Sequence, residues 1–173
     1  MMQAERGLRM SLVSPLLAVF FTLLAADAKT EEIRQFRDWQ LVETGSVCRI
    51  VSVVTSRATG SLLLEVSLIP EFAEESSYLI AVRVPLGASL ASGIALRHAG
   101  QDRVAIGLEW LSCDPEMCTA GGKLSGAAIA ALRRGNSVFV GFRPMIDARP
   151  VNIELSLMGF TAASNALQTC GPA

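Results

Sequence analysis

The sequence contains a single histidine, His98, in 173 residues. One histidine cannot supply the several imidazole ligands that a histidine-based metal cluster needs within one chain. The charges nearly balance, with 15 Lys and Arg against 16 Asp and Glu, and like charges form only short pairs. The chain therefore lacks the basic stripe that nucleic-acid binding requires, and we predict no nucleic-acid partner.

A long hydrophobic run is also missing beyond the first 28 residues, so we predict no transmembrane segment in the mature chain. The first 28 residues have the order of a cleavable export signal. Arg6 and Arg9 form a basic region, residues 10–24 are apolar and uncharged, and Ala26-Asp27-Ala28 fits the small-x-small pattern of signal peptidase. The apolar run has about 15 residues, which is too short to span a bilayer of roughly 30 Å.

We predict that cleavage falls between Ala28 and Lys29 and leaves one mature domain over residues 29–173. No cysteine follows the apolar run closely, which argues against a lipoprotein anchor, and no twin-arginine pair precedes it. The predicted location is the periplasm or the outside of the cell, with association with the outer membrane as an alternative. Such export brings the cysteines into an oxidising compartment, where disulfides persist.

Short segments in which apolar and polar residues alternate dominate the mature chain. Such alternation is typical of strands with one buried face, because successive side chains point to opposite sides. The gaps between most segments are too short for the helices of a parallel sheet. The predicted fold is mainly β, an antiparallel β-sandwich with one or two short helices. Strands are predicted over residues 39–41, 47–54, 62–68, 78–84, 104–110, 138–142 and 151–157.

Two segments interrupt this pattern and predict helices. The first is the alanine-rich run Lys123–Arg134, which Gly135 follows as a C-terminal cap. The second covers Thr161–Gln168 and closes the chain. Gly121-Gly122-Lys123 resembles a phosphate-binding loop only in part, because Leu124 follows the lysine and Met117 replaces the first glycine of that motif. We interpret these glycines as the start of the first helix.

The four cysteines carry the clearest structural signal. Cys113 and Cys118 enclose an Asp-Pro turn, and four intervening residues allow the two ends to approach to disulfide distance. Cys48 and Cys170 then remain for each other. A four-thiolate zinc site needs two closely spaced cysteine pairs, and a redox pair is usually C-x-x-C; the sequence has neither. Structural disulfides are therefore favoured over zinc or thiol exchange.

Other residues that could support chemistry have simpler interpretations. His98 is expected at a solvated hairpin tip rather than in a Ser-His-Asp triad. The carboxylates Glu71, Glu74 and Glu75 are expected in a solvated loop, because nothing sets the separation that a glycosidase pair needs. Trp39 and Trp110 are expected in the core. We predict no catalytic residue, no cofactor site and no metal ligand.

Four ordered motifs resemble the invasion-associated locus B family, a group of exported proteins of Gram-negative bacteria. They span nearly all of the mature chain, and the ordered set is more specific than any single member. The motifs are Asp38-Trp39, the segment PLGASLASG over residues 85–93, CDPEMCTA over residues 113–120, and SLMGF over residues 156–160 with Ala162 and Leu167.

The resemblance implies an immunoglobulin-like sandwich and a structural role for the cysteines, with no enzymatic activity or cofactor. The chain departs from the family pattern at Glu43, where the family usually has a cysteine that pairs with the one at position 48. The additional Cys170 implies that the Cys48 disulfide is rewired to the C-terminus.

We interpret the chain as an exported, non-enzymatic cell-envelope protein that binds another protein, in the envelope or on a host cell. The resemblance adds a link to host-cell invasion. An envelope hydrolase or transferase with an unrecognised site is the alternative, and a purely structural or chaperone-like subunit is a third hypothesis. The acidic loop Pro70–Ser77 is the predicted contact surface.

Overall fold

A computed structural model describes residues 31–71, 77–98 and 106–170 of the chain. These residues form a mainly antiparallel β structure with two α-helices, which confirms the predicted fold class. The strands are β1 (Glu31–Phe36), β2 (Trp39–Thr44), β3 (Val47–Thr55), β4 (Leu62–Pro70), β5 (Tyr78–Pro85), β6 (Ile94–His98), β7 (Ile106–Cys113), β8 (Met117–Leu124), β9 (Ser137–Phe142) and β10 (Val151–Ser156). The helices are α1 (Gly126–Arg134) and α2 (Phe160–Gln168), and a short 3-10 helix covers Leu90–Ser92.

One continuous sheet curls over itself to make two layers. The larger layer contains β1 to β5, β8 and the last residues of β7, and the smaller layer contains the first residues of β7 with β6, β9 and β10. The strand order of the sheet is β1-β2-β3-β4-β5-β8-β7-β6-β9-β10, and every recorded pairing is antiparallel. The turn between the layers occurs in β7, because its first residues pair with β6 and its last residues pair with β8. The far strand β10 consequently lies against β3 of the larger layer.

The core between the layers contains the inward-facing residues of the predicted strands, together with residues of β6, β8 and both helices. The inward positions of β4 are Leu64, Val66 and Leu68, and each is at most 1% exposed. Trp39 of β2 is equally buried, and its indole Nε1 donates to the carbonyl oxygen of Ser156 at 3.0 Å. This bond joins the start of the larger layer to the end of the smaller one.

Three strands were not predicted from the sequence. β1 has five exposed residues out of six, and β6 has only two inward apolar residues. β8 lies between β5 and β7 in the larger layer, where a loop and a helix start were expected. The strand predicted over residues 104–110 is described from Ile106 and continues to Cys113, while residues 104–105 lie outside the described part.

The first predicted helix begins three residues later than expected. Lys123 and Leu124 belong to β8, and α1 starts at Gly126 after Ser125, whose side chain accepts a hydrogen bond from the backbone of Ala128 at 3.3 Å. This is the usual arrangement of a serine N-cap. The second helix was predicted within one residue, and α2 buries Phe160 and Leu167 against the larger layer.

Neither helix of the described residues has the length and apolar content required to cross a membrane.

Candidate functional site

Both disulfides expected from the sequence are present. Cys113 and Cys118 are direct partners in the β7–β8 hairpin, with their Cα atoms 4.0 Å apart. Cys48 of β3 bonds to Cys170, which follows α2, across a separation of 122 residues. No cysteine among the described residues is free. The long disulfide therefore ties the end of the chain to the larger layer, while the short one closes a single turn.

The turn inside the short disulfide is held by the carboxylate of Asp114. Its Oδ1 accepts from the backbone N–H groups of Glu116 and Met117, each at 2.8 Å. Its Oδ2 accepts from Arg83 of β5 at 2.9 Å. The two backbone hydrogen bonds, followed by the contact with Arg83, lower the pKa of Asp114 below its ordinary value. Asp114 therefore fixes the shape of the turn as an ionised group.

Glu43 lies beside the long disulfide. Its carboxylate and the sulfur atoms of Cys48 and Cys170 lie within 4.8 Å of one another, a spacing that suits a metal ion. A thiolate is the form of cysteine that binds metal, and both sulfurs are instead joined in a disulfide. Glu43 pairs with Arg34 of β1 at 2.6 Å. In this oxidised form the cluster is a structural link rather than a metal centre.

The acidic loop is only partly described, because residues 72–76, including Glu74 and Glu75, lie outside the described residues. Glu71 accepts from Lys123 at 2.8 Å and from Ser77 at 2.9 Å. The hydrogen bond from Lys123, aided by that from Ser77, lowers the pKa of Glu71. A general acid needs a raised pKa, so Glu71 is poorly suited to donate a proton at neutral pH.

The remaining sequence candidates occupy structural positions. His98 ends β6, and its backbone is aligned with Val138, so the residue belongs to a strand rather than to a hairpin tip. Its side chain is outside the described part of the structure. Gly121, Gly122 and Lys123 lie inside β8, which shows that the predicted helix start was wrong. The glycines therefore do not form a phosphate-binding loop.

Trp39 is in the core, as predicted, with its ring edge against Phe160 at a centroid distance of 5.0 Å. Trp110 is half-buried and packs against the same core. The buried Nε1 of Trp110 has no hydrogen-bond partner among the described residues. Both tryptophans therefore contribute to packing.

A surface that the sequence did not predict is the outer face of the larger layer. We call this surface the outer face and define it by the exposed apolar side chains Ile33, Val53, Leu79 and Leu111, on β1, β3, β5 and β7. Their exposed fractions range from 39% for Leu79 to 65% for Leu111. Of these four side chains, Leu79 and Leu111 line a common groove, whereas Ile33 and Val53 lie on other strands, outside its lining. A contiguous exposed apolar patch is typical of an interaction surface.

A groove of about 490 Å³ crosses the outer face over β8. Ile69, Leu79 and Leu111 are among its apolar lining residues, and Gly121 is part of its floor. A Cβ atom on Gly121 would lie 2.7 Å from Cδ1 of Leu111, so the glycine allows this leucine to lie flat against the strand. Glu109 and Lys123 also line the groove and add a polar contribution.

A second apolar surface lies at the end of the sandwich where β5 and β9 finish. Pro85, Leu86, Phe142, Val151 and Ile153 line a cleft of about 580 Å³ between the layers. The exposed Met145 and Ile146 lie in the adjoining loop, whose Arg143 carbonyl accepts from the backbone of Ser89 at 2.7 Å. The start of the motif at residues 85–93 therefore forms part of one wall of this cleft.

The comparisons with known proteins agree on one family. The family model described as "Invasion associated locus B (IalB) protein" matches residues 37–168. Two invasion protein B homologues of Brucella abortus, from strains 2308 and 9-941, are each 31% identical to the chain over 85 residues. These matches cover 49% of this chain and 48% of each Brucella protein, so the chain matches about half the length of these curated relatives.

The fold also matches a solved structure. The crystal structure of invasion associated protein B from Bartonella henselae superposes with a TM-score of 0.71. The match covers 80% of this chain and 96% of the Bartonella chain at 18% sequence identity. At this identity the likeness establishes a shared fold.

Proposed function

Because the chain belongs to the invasion associated locus B family, we propose that it is an exported, non-enzymatic cell-envelope protein that acts by binding another protein. The observation that carries the binding proposal is the outer face. Leu79 and Leu111 remain exposed there and line one groove, although the core has ample apolar material of its own. A protein partner would remove them from water, and each Å² of buried apolar surface stabilises a complex by about 25 cal/mol before the costs of association.

The groove gives this face its shape. Leu79 of β5 and Leu111 of β7 both line the groove, and Leu111 lies over Gly121 of the strand between them, so an apolar side chain of the partner could contact both leucines. Glu109 and Lys123 would supply polar contacts at its edge. An apolar centre with a polar rim is the usual composition of the energetically important part of a protein interface.

The non-enzymatic proposal is supported by the environment of Glu71 and Asp114, the two described carboxylates whose pKa departs from its ordinary value. Glu71 is ionised and paired with Lys123. Asp114 is ionised and accepts hydrogen bonds from the backbone of the β7–β8 turn. Both groups serve local structure. A hydrolase or transferase would instead require a positioned base or nucleophile beside a cleft.

The two disulfides support the export proposal, because such bonds persist in oxidising compartments. The predicted signal peptide over residues 1–28 and the mature domain over residues 29–173 complete this proposal. An intact-mass measurement on protein from the periplasm tests it. The expected product begins at Lys29 and lacks four hydrogens relative to the reduced chain. A product that retains residues 1–28, or that carries free thiols, contradicts the export proposal.

Photo-crosslinking in intact cells tests the binding proposal. A photoreactive residue at Leu111 should give a discrete adduct with another protein, and the substitution Leu79→Asp on the same chain should abolish it. The matched control carries the photoreactive residue at Met145, which is 69% exposed at the far end of the sandwich. Equal adducts from both positions, or an adduct that survives Leu79→Asp, would argue against binding at the outer face.

The connection with invasion comes from the names of the relatives. We extend it to this chain as part of the proposal, with a partner on a host cell as the alternative to one in the envelope. Bacteria that produce only the Leu79→Asp protein should then enter host cells less often than those with the unaltered protein. Unchanged entry would restrict the function to the bacterial envelope.

A further inference from the structure

The strand β1 forms one edge of the curled sheet. It pairs with β2 on one side, and no strand of the described residues covers its other side. Its first five residues are exposed. An uncovered edge presents unpaired backbone N–H and C=O groups that can pair with another strand. The sequence of the edge therefore decides which strand fits it.

The hairpin between β1 and β2 determines which backbone groups are free. Phe36 and Trp39 flank a two-residue turn and so form a hydrogen-bonded pair. Hydrogen-bonded pairs alternate along an antiparallel ladder, so Arg34 and Glu32 also bond to β2. The backbone groups of the intervening residues, Glu31, Ile33 and Gln35, consequently point to the free edge.

The free edge is complementary to itself in one antiparallel register. Two copies of the chain can pair their β1 edges around a two-fold axis that passes beside Ile33. In this register Ile33 pairs with the Ile33 of the second copy, and Glu31 pairs with the Gln35 of the second copy. All three residues with free backbone groups are then hydrogen-bonded. Glu32 lies opposite the Arg34 of the second chain, and the symmetry repeats this opposite-charge pair. Direct cross-strand pairs of opposite charge stabilise a sheet, and pairs of like charge destabilise it.

The alternative registers lose one of these features. An axis beside Glu32 or Arg34 would place identical charges opposite each other and would align residues whose backbone groups already bond to β2. An axis beside Glu31 would likewise oppose two carboxylates. Glu32 forms no ion pair within the described ranges, so its charge is available for this contact, whereas Arg34 would be shared with Glu43.

We propose that two copies of the mature chain associate through antiparallel pairing of β1 about Ile33. The larger layers of the two copies then join into one continuous sheet, and Ile33, which is 55% exposed in one chain, packs against its copy. The contact involves about five residues of each chain, fewer than the roughly 20–30 of a standard interface. We therefore expect a weak dimer that dissociates on dilution.

Charge exchange tests this register. Sedimentation equilibrium of the mature, oxidised protein should show a dimer that dissociates on dilution. Glu32→Lys places lysine opposite arginine, and Arg34→Glu places two glutamates opposite each other, so each variant alone should dimerise about tenfold more weakly. An equimolar mixture of the two variants restores both opposite-charge pairs and should regain the dimer as a heterodimer.

Arg49→Glu, a charge reversal on the outer face of β3, serves as the control and should dimerise like the unaltered chain. Thermal unfolding of each variant verifies that it is folded. The proposal is overturned if the unaltered chain stays monomeric at millimolar concentration or if Glu32→Lys dimerises normally. It is also overturned if the two folded variants do not combine when they are mixed.

Discussion

Glu43 and Cys48 lie directly opposite each other in the β2–β3 hairpin, yet Cys48 forms its disulfide with Cys170. The family resemblance implies a cysteine at position 43, where it would bridge the hairpin across five positions. Cys113 and Cys118 show that arrangement in this chain, with the same separation of five. The chain thus keeps one hairpin disulfide and exchanges the other for a link between β3 and the C-terminus.

The exchange has a predicted effect on stability. In the chain-entropy model, a loop of 122 residues contributes about 5 kcal/mol and a loop of five contributes about 2 kcal/mol. Cys170→Ser should therefore lower the free energy of unfolding by about 2–5 kcal/mol. Adding Glu43→Cys should recover about 2 kcal/mol, because the new thiol would face Cys48 in a cross-strand pair whose Cα atoms lie about 4.5 Å apart. Urea unfolding measures both changes, and peptide mapping identifies the new disulfide; no recovery despite that disulfide contradicts the entropic account.

Gly159 gives a second prediction. It precedes α2 with a φ of +92°, and a Cβ atom there would overlap the backbone carbonyl of Phe36 at the β1–β2 turn. Gly159→Ala should therefore cost the conformational penalty of about 1–2 kcal/mol and, in addition, displace α2 from the turn. Gly60→Ala is the matched control, because Gly60 has a φ of +71° and open space around its Cβ position. Urea unfolding should show a distinctly larger loss for Gly159→Ala, and equal losses would exclude the steric contribution.

Alternation of apolar and polar residues predicts only those strands that bury one face in the core. Strands β3 to β5 and β9 were predicted because one face of each is buried in the core. β8 was missed because Gly121 and Gly122 replace the expected large residues. A Cβ atom on Gly122 would lie 3.0 Å from Cδ2 of Leu108, so the glycine leaves room for this leucine of β7, although two adjacent glycines resemble a loop in the sequence. β1 was missed because most of its residues are exposed.

The candidate site was predicted only in part for the same reason. The spacing of the cysteines and the family resemblance predicted both disulfides. The outer face was not predicted, because the alternation argument assigns apolar residues to one side of a strand and treats the other side as solvated. Leu79 occupies a solvent-facing position between the buried Tyr78 and Ile80. Apolar residues at consecutive positions of a half-buried strand were the signal that this argument overlooked.

Asp114 predicts a dependence of stability on pH. Its pKa is lowered in the folded protein, first by the backbone N–H groups of Glu116 and Met117 and then by Arg83. A lowered pKa means that the folded state prefers the ionised form. This contribution is complete above the ordinary aspartate pKa of about 4 and is lost as the pH falls through the folded value.

Asp114→Asn should therefore be less stable than the unaltered chain at pH 7, and the difference should shrink as the pH falls below about 4. Urea unfolding at a series of pH values measures this difference. Asp147→Asn, on the exposed β9–β10 loop, controls for the removal of one negative charge from the surface. A difference between Asp114→Asn and the unaltered chain that stays constant down to about pH 2 would show that ionisation of Asp114 does not stabilise the fold.

The last prediction concerns the contact between the two helices. Ser164 of α2 is 1% exposed, and its hydroxyl accepts from Nε of Arg133 at 3.0 Å and donates to the carbonyl of Thr161 at 3.1 Å. Ser164→Ala leaves the half-buried guanidinium of Arg133 without this acceptor and should lower the free energy of unfolding by about 1–3 kcal/mol.

In an Arg133→Met background the same substitution should cost about 1 kcal/mol less, because no charged donor remains to be satisfied. Urea unfolding of the four proteins gives this coupling energy, and the exposed neighbour Arg134→Met, combined with Ser164→Ala, should give additive effects. Additivity in the Arg133→Met background would show that the Arg133–Ser164 hydrogen bond does not hold the helices together.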